Sequence, residues 1–77
     1  MIDDRIEVNP EIMTGKPVVE GTRVPVYVVL EMFEEDASIK DVTEAYPDLE
    51  RKDVIACLRY ASKRVQREEL TGSKSAA

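Results

Sequence analysis

Gly15 to Val26, GKPVVEGTRVPV, fixes how the rest of this chain can fold. It holds two of the three glycines and two of the four prolines. Proline cannot donate a backbone hydrogen bond, and glycine is the residue of choice for left-handed turns. Chain before this segment reads as short extended pieces and turns. Chain after it, up to Leu70, carries helical periodicity. The segment is therefore a hinge between a β element and an α-helical body.

Upstream, Arg5-Ile6-Glu7-Val8 alternates polar and apolar residues, as a half-buried strand does. Asn9-Pro10 initiates a turn, and Glu11-Ile12-Met13 has room for one helical turn that Thr14-Gly15 closes. Pro17 to Glu20, with β-branched Val18 and Val19, is a second short strand. The strands are expected at about 5–8 and 17–20. They can pair with each other or with a second copy, so Ile6, Val8, Val18 and Val19 are candidate strand-edge residues.

Downstream, Pro25 suits the first position of a helix, where its missing N–H goes unmissed. Val26, Val29, Leu30 and Phe33 recur at i, i+3, i+4 and i+7, which predicts helix one over 25–35. Ser38 and Asp41 form a capping-box pattern with Asp in place of the usual Glu. Ile39, Val42, Ala45 and Tyr46 continue as an apolar stripe until Pro47, which limits helix two to 39–45. After a three-residue turn, Pro47-Asp48-Leu49, helix three is expected over 50–67. Val54, Leu58, Ala61 and Val65 fall within about 60° of arc on it, and Lys52, Arg59, Lys63 and Arg67 within about 80° on the opposite side. Residues 71–77 are small and polar and are expected to fray, leaving one domain over 1–70.

Composition removes several function classes. The chain has 77 residues, no histidine and one cysteine, Cys57. No intrachain disulfide can form, and zinc sites built from Cys and His are not expected. Serine and threonine have no histidine to activate them, so no catalytic residue is expected and the chain reads as a non-enzyme without a cofactor. Glu34-Glu35-Asp36 lacks the alternating carboxylates and glycine of a calcium loop, so no metal site is expected there. Gly15 and Gly21 stand one residue too far apart for a phosphate loop, and Lys16 follows the wrong glycine. No apolar run reaches the roughly 20 residues of a membrane span, and Met1-Ile2-Asp3-Asp4 has neither the basic nor the apolar region of a secretory signal. A cytoplasmic protein with no membrane partner is expected.

Charge is segregated. The net charge is −5, yet residues 1–49 carry twelve acidic and four basic side chains, and residues 50–67 carry two acidic and six basic. Helix two, turn and helix three resemble a helix-turn-helix, whose second helix enters the major groove of DNA. Arg51, Lys52, Arg59, Lys63 and Arg67 are then the candidate DNA contacts, with Ile55 and Ala56 also turned towards bases. A plain three-helix bundle with a solvated basic face accounts for the same residues. Glu31, Glu34, Glu35 and Asp36 form a candidate acidic surface for a basic protein partner. With so small a core, a homodimer is expected.

GKPVVEGTRVPV, preceded by Asn9-Pro10-Glu11-Ile12-Met13, closely resembles the GKPVIKGTRIPV signature of domain-of-unknown-function family four-thirty-three, small bacterial and archaeal proteins. Ser38-Ile39, Tyr46-Pro47-Asp48-Leu49 and Asp53-Val54 match that family's later pattern. The resemblance covers about residues 5–67. It implies a mainly α fold: a short N-terminal two-stranded β element, then a three-helix, homeodomain-like helix-turn-helix bundle. It also implies an antitoxin that silences a small PIN-like nuclease toxin and represses its own promoter through operator DNA. It carries over no catalytic residue. Two departures bear on the expectation. Glu50 stands where the family often has Ser or Thr, so Asp48 is expected to cap helix three. The tail after Leu70 is also short for wrapping a toxin, which leaves the folded surface for that contact.

Overall fold

A computed structural model describes residues 5–72, with side chains from Arg5 to Arg67. The chain is mainly α, with a two-stranded antiparallel sheet at its start. The elements are β1 (Ile6–Glu7), β2 (Val18–Val19), α1 (Val26–Glu34), α2 (Ile39–Ala45) and α3 (Arg51–Gly72). The strands pair within the chain, Ile6 opposite Val19 and Glu7 opposite Val18. Residues 73–77, the rest of the expected frayed tail, lie outside the described residues.

The connection between the strands is built from local hydrogen bonds. Asn9 Oδ1 accepts from the Glu11 N–H at 2.9 Å, and the Asn9 carbonyl accepts from the Ile12 N–H at 2.9 Å. A single turn at Met13–Gly15 follows. Its backbone is left-handed at all three residues, with φ 51°, 53° and 87°. Only Gly15 adopts that region without steric cost, so Met13 and β-branched Thr14 hold a strained turn.

The hinge folds back on β2. The Val19 N–H donates to the Val24 carbonyl, the Val26 N–H donates to the Pro17 carbonyl, and Val18 bridges Pro25. Thr22 Oγ1 ties the loop by donating to the Val19 carbonyl and accepting from the Val24 N–H. Gly21, at φ 81°, makes the reversal. Pro25 is thus extended and precedes the helix instead of opening it. Its φ and ψ of −71° and 147° put it at the N-cap of α1, because its partner is the strand.

Helix ends follow the expected chemistry, with one exception. α1 closes in a Schellman motif. The Ala37 N–H reaches the Met32 carbonyl and the Asp36 N–H reaches the Phe33 carbonyl, with Asp36 left-handed at φ 71°. α2 opens in the capping box: Asp41 N–H to Ser38 Oγ at 3.1 Å, Ser38 N–H to Asp41 Oδ2 at 2.9 Å. These bonds to the Ser38 backbone and hydroxyl hold the Asp41 carboxyl below its ordinary range. At α3 the capping group is Asp53, not Asp48. Its Oδ2 accepts from the Glu50 N–H at 2.8 Å. Glu50 cannot cap with its own longer side chain, and Asp53 reaches back from the first turn.

The core gathers Ile6, Val19, Val26, Val29, Val42, Leu49, Val54, Ala56 and Cys57. The expected stripe of α1 is the observed one. On α2 Val42 is buried, but Ala45 is exposed. α3 differs most. Leu58 and Val65 are exposed, while Asp53, Ala56 and Cys57 are buried. The inward face of α3 is therefore turned about a quarter turn from the expected one. Small residues line it because α3 crosses close to the valines of α1 and α2. Ala56 is 0% exposed, so it has no part in an outward-facing surface. The connector from α2 to α3 is also longer than expected, five residues from Tyr46 to Glu50. α3 runs to Gly72, so residues 71 and 72 are helical.

Candidate functional site

α3 carries the candidate site, and its first turn fixes how the helix sits. Asp53 is 8% exposed, and its Oδ1 receives Arg5 Nη1 at 2.8 Å while its Oδ2 caps Glu50. One carboxylate thus binds the residue before β1 to the N-terminus of α3. Arg5 also stands 4.0 Å from the exposed Glu50 carboxylate, too loose a contact to add much. Burial of Asp53 leaves neither oxygen without a donor.

With the helix so oriented, Arg51, Lys52, Arg59, Lys63 and Arg67 are all exposed. Lys52, Arg59, Lys63 and Arg67 share one side over four turns. Arg51 lies about 100° from Lys52 and does not share it. Ile55 is half-buried beside the stripe, and Ala56 is in the core. The core takes the face centred near Cys57, and its edge reaches buried Ala56, which lies in angle between Lys63 and Arg67, so the basic side borders the core.

The acidic candidates sit at the other end of α1. Glu31, Glu34, Glu35 and Asp36 are exposed, and Asp36 also supplies the left-handed backbone that stops the helix. Among the described residues, no three His, Cys, Asp or Glu gather where a metal ion fits.

The strand-edge candidates are divided. Ile6, Val18 and Val19 are buried, and Val8 is exposed. β2 lies between β1 and the 24–26 segment, so its backbone is engaged on both sides. β1 ends the sheet and packs against α3.

A groove of about 410 Å³ runs between α1 and residues 60–65 of α3, and the periodic stripes held Leu30, Ala61 and Val65 but assigned them to the core. Its apolar wall is Tyr27 and Leu30 on one side and Tyr60, Ala61 and Val65 on the other. Lys16 and Arg64 rim it. Lys16 Nζ lies 5.6 Å from the centre of the Tyr27 ring, and Arg64 Cζ lies 6.0 Å from that of Tyr60. The available signals were the spacings Tyr27–Leu30 and Tyr60–Arg64, each one helical turn. Among the described residues, no helix is long and apolar enough to cross a membrane.

Comparison with known proteins agrees with this fold. A crystal structure of a DUF433 member protein from Anabaena variabilis superposes with a TM-score of 0.76 at 22% identity. The match covers 88% of this chain and 67% of that one, and it shows a shared fold. The uncharacterized protein y4eO of Sinorhizobium fredii is 40% identical over 53 residues. Those residues are 69% of this chain, which spans only 24% of the length of that relative. The model of the family described as protein of unknown function (DUF433) matches residues 6–61, and the chain belongs to that family.

Proposed function

We propose that this chain is a non-enzymatic DNA- and protein-binding module, the antitoxin of a toxin–antitoxin pair. In this reading it is cytoplasmic and dimeric, α2 and α3 act as a helix-turn-helix, and α3 meets operator DNA. A small PIN-like nuclease is the protein partner. The observation that carries the reading is the exposed basic side of α3 on an otherwise acidic protein. Lys52, Arg59, Lys63 and Arg67 follow one side of a helix about 33 Å long, from Arg51 to Gly72. A helix of that length with cations on one side matches the reach of a major groove and its flanking phosphates. The acidic end of α1, Glu31, Glu34, Glu35 and Asp36, is the surface offered to a basic partner, on the far side of the charge segregation.

The test is a gel shift on duplex DNA from upstream of the protein's own gene, at 50 mM and 200 mM salt. A retarded band that Lys52→Glu and Lys63→Glu abolish, with unchanged circular dichroism, supports the reading. The absence of a shift at either salt, with or without the neighbouring gene product, rejects its DNA half. A module that binds protein only is the second reading. The exposure of all four carboxylates at 31–36 favours it. Co-purification with the neighbouring gene product, but not with DNA, selects it.

A further inference from the structure

The groove between α1 and α3 is unaccounted for by DNA binding. Arg64 and Val65 face it, whereas Lys52, Arg59 and Lys63 lie on another side of the helix. Tyr27 is 46% exposed and Val65 is 55% exposed, a high proportion for apolar side chains facing each other across a groove. α3 also overhangs the core. Every side chain from Ser62 to Arg67 is exposed, so this half of the helix has little tertiary support. Helix of that length is marginal in water without packing.

We infer that the groove is the dimer interface, and that its occupant is the second half of α3 from a second copy of this chain. The inference rests on the dimeric reading above and names its surface. Three observations on the chain point to a copy of itself. First, the apolar residues that line the groove on α3, Ala61 and Val65, are those that an incoming α3 presents. A two-fold axis therefore satisfies both subunits at once. Second, α1 exposes Glu31 and Glu34 one turn beyond Tyr27 and Leu30, the last α1 residues that line the groove. The incoming helix brings Arg64 to that end, so carboxylates meet a guanidinium twice in the dimer. Third, seating α3 here leaves Lys52, Arg59 and Lys63 outward on both subunits. The interface and the basic side do not compete.

Sedimentation equilibrium of the full chain, at a series of concentrations, tests this. Wild type is expected to be a dimer. Val65→Glu is expected to weaken association roughly a hundredfold, since symmetry places the change in both subunits. Circular dichroism checks that the variant is folded, and Glu44→Ala, exposed on α2 and outside the groove, is expected to leave association unchanged. Arg64→Glu and Glu34→Arg are each expected to weaken the dimer, and the two together to restore it. Restoration cannot come from a general loss of fold.

A monomeric wild type, a Val65→Glu dimer as tight as wild type, or failure of the charge swap to restore association each overturns the proposal. A monomer whose capture of the purified neighbouring gene product depends on Val65 gives the groove to a foreign partner, which also overturns it. DNA binding is read separately: a dimer that shifts no DNA sinks the earlier DNA assignment and leaves this one standing.

Discussion

Replacing Asp53 by alanine tests whether one carboxylate joins the β element to the helical body. Two contacts are lost. The cap on Glu50 N–H, at 2.8 Å, is worth about 1 kcal/mol by comparison with other helix caps. The Arg5 contact, also 2.8 Å, is a charged hydrogen bond to a side chain only 12% exposed. Such bonds contribute about 1.5–3 kcal/mol, and the 39% exposure of Arg5 places this one at the lower end. The expected loss is about 2–4 kcal/mol, a large share of the roughly 4–11 kcal/mol available to a domain of this length. Urea unfolding followed by circular dichroism at one fixed protein concentration measures it, because association also stabilises the fold. A double-mutant cycle with Arg5→Ala isolates the pair, and a coupling of about 1–2 kcal/mol is expected. A coupling below about 0.3 kcal/mol refutes the reasoning, since the two groups would then be acting separately.

Four further substitutions check other parts of the fold. Val54→Ala is expected to cost about 2 kcal/mol in urea unfolding, and Leu58→Ala about 1 kcal/mol or less, because Val54 is buried and Leu58 is largely exposed. The reverse order would restore the apolar stripe expected from periodicity. Asp36→Gly is expected to stabilise the fold by about 0.5–1 kcal/mol, seen as a higher urea midpoint, since glycine relieves the left-handed φ of 71°. Asp41, whose carboxyl is held low by Ser38, contributes stability above its unfolded pKa and loses it as pH falls through the lower folded value. The drop in urea midpoint between neutral and acid pH is therefore expected to be smaller in Asp41→Asn than in wild type.

The helices of the first half were legible because their signals are local. Val26, Val29, Leu30 and Phe33 have a helical period, and Ser38, Asp41 and Pro47 mark the two ends of α2 within the chain itself. The face of α3 was not legible from hydrophobicity. Leu58 and Val65 outrank Ala56 and Cys57 on any apolar scale, but the inward face is chosen by close approach to valines and by a buried aspartate. Asp53 reads as a surface residue until Arg5, 48 positions away, is known to sit beside it. That pairing is a tertiary fact. The left-handed turn at Met13 and Thr14 was equally hidden, because neither residue favours it. For the site, the basic residues of α3 were legible as a charge pattern, but Ala56, which shares their side in angle, is buried and not turned outward. The groove was not, since Tyr27 and Tyr60 come together only when α1 packs on α3.

The basic side of α3 is tested most directly by fluorescence anisotropy of the full chain on its own upstream duplex, titrated across salt. The logarithm of the affinity is expected to fall linearly with the logarithm of salt concentration, by about 0.9 for each phosphate neutralised. Lys52→Glu and Lys63→Glu are each expected to reduce that slope by about 1 or more while leaving the fold intact. A slope unchanged in both variants, or no binding at any ionic strength, contradicts the assignment of α3 to DNA.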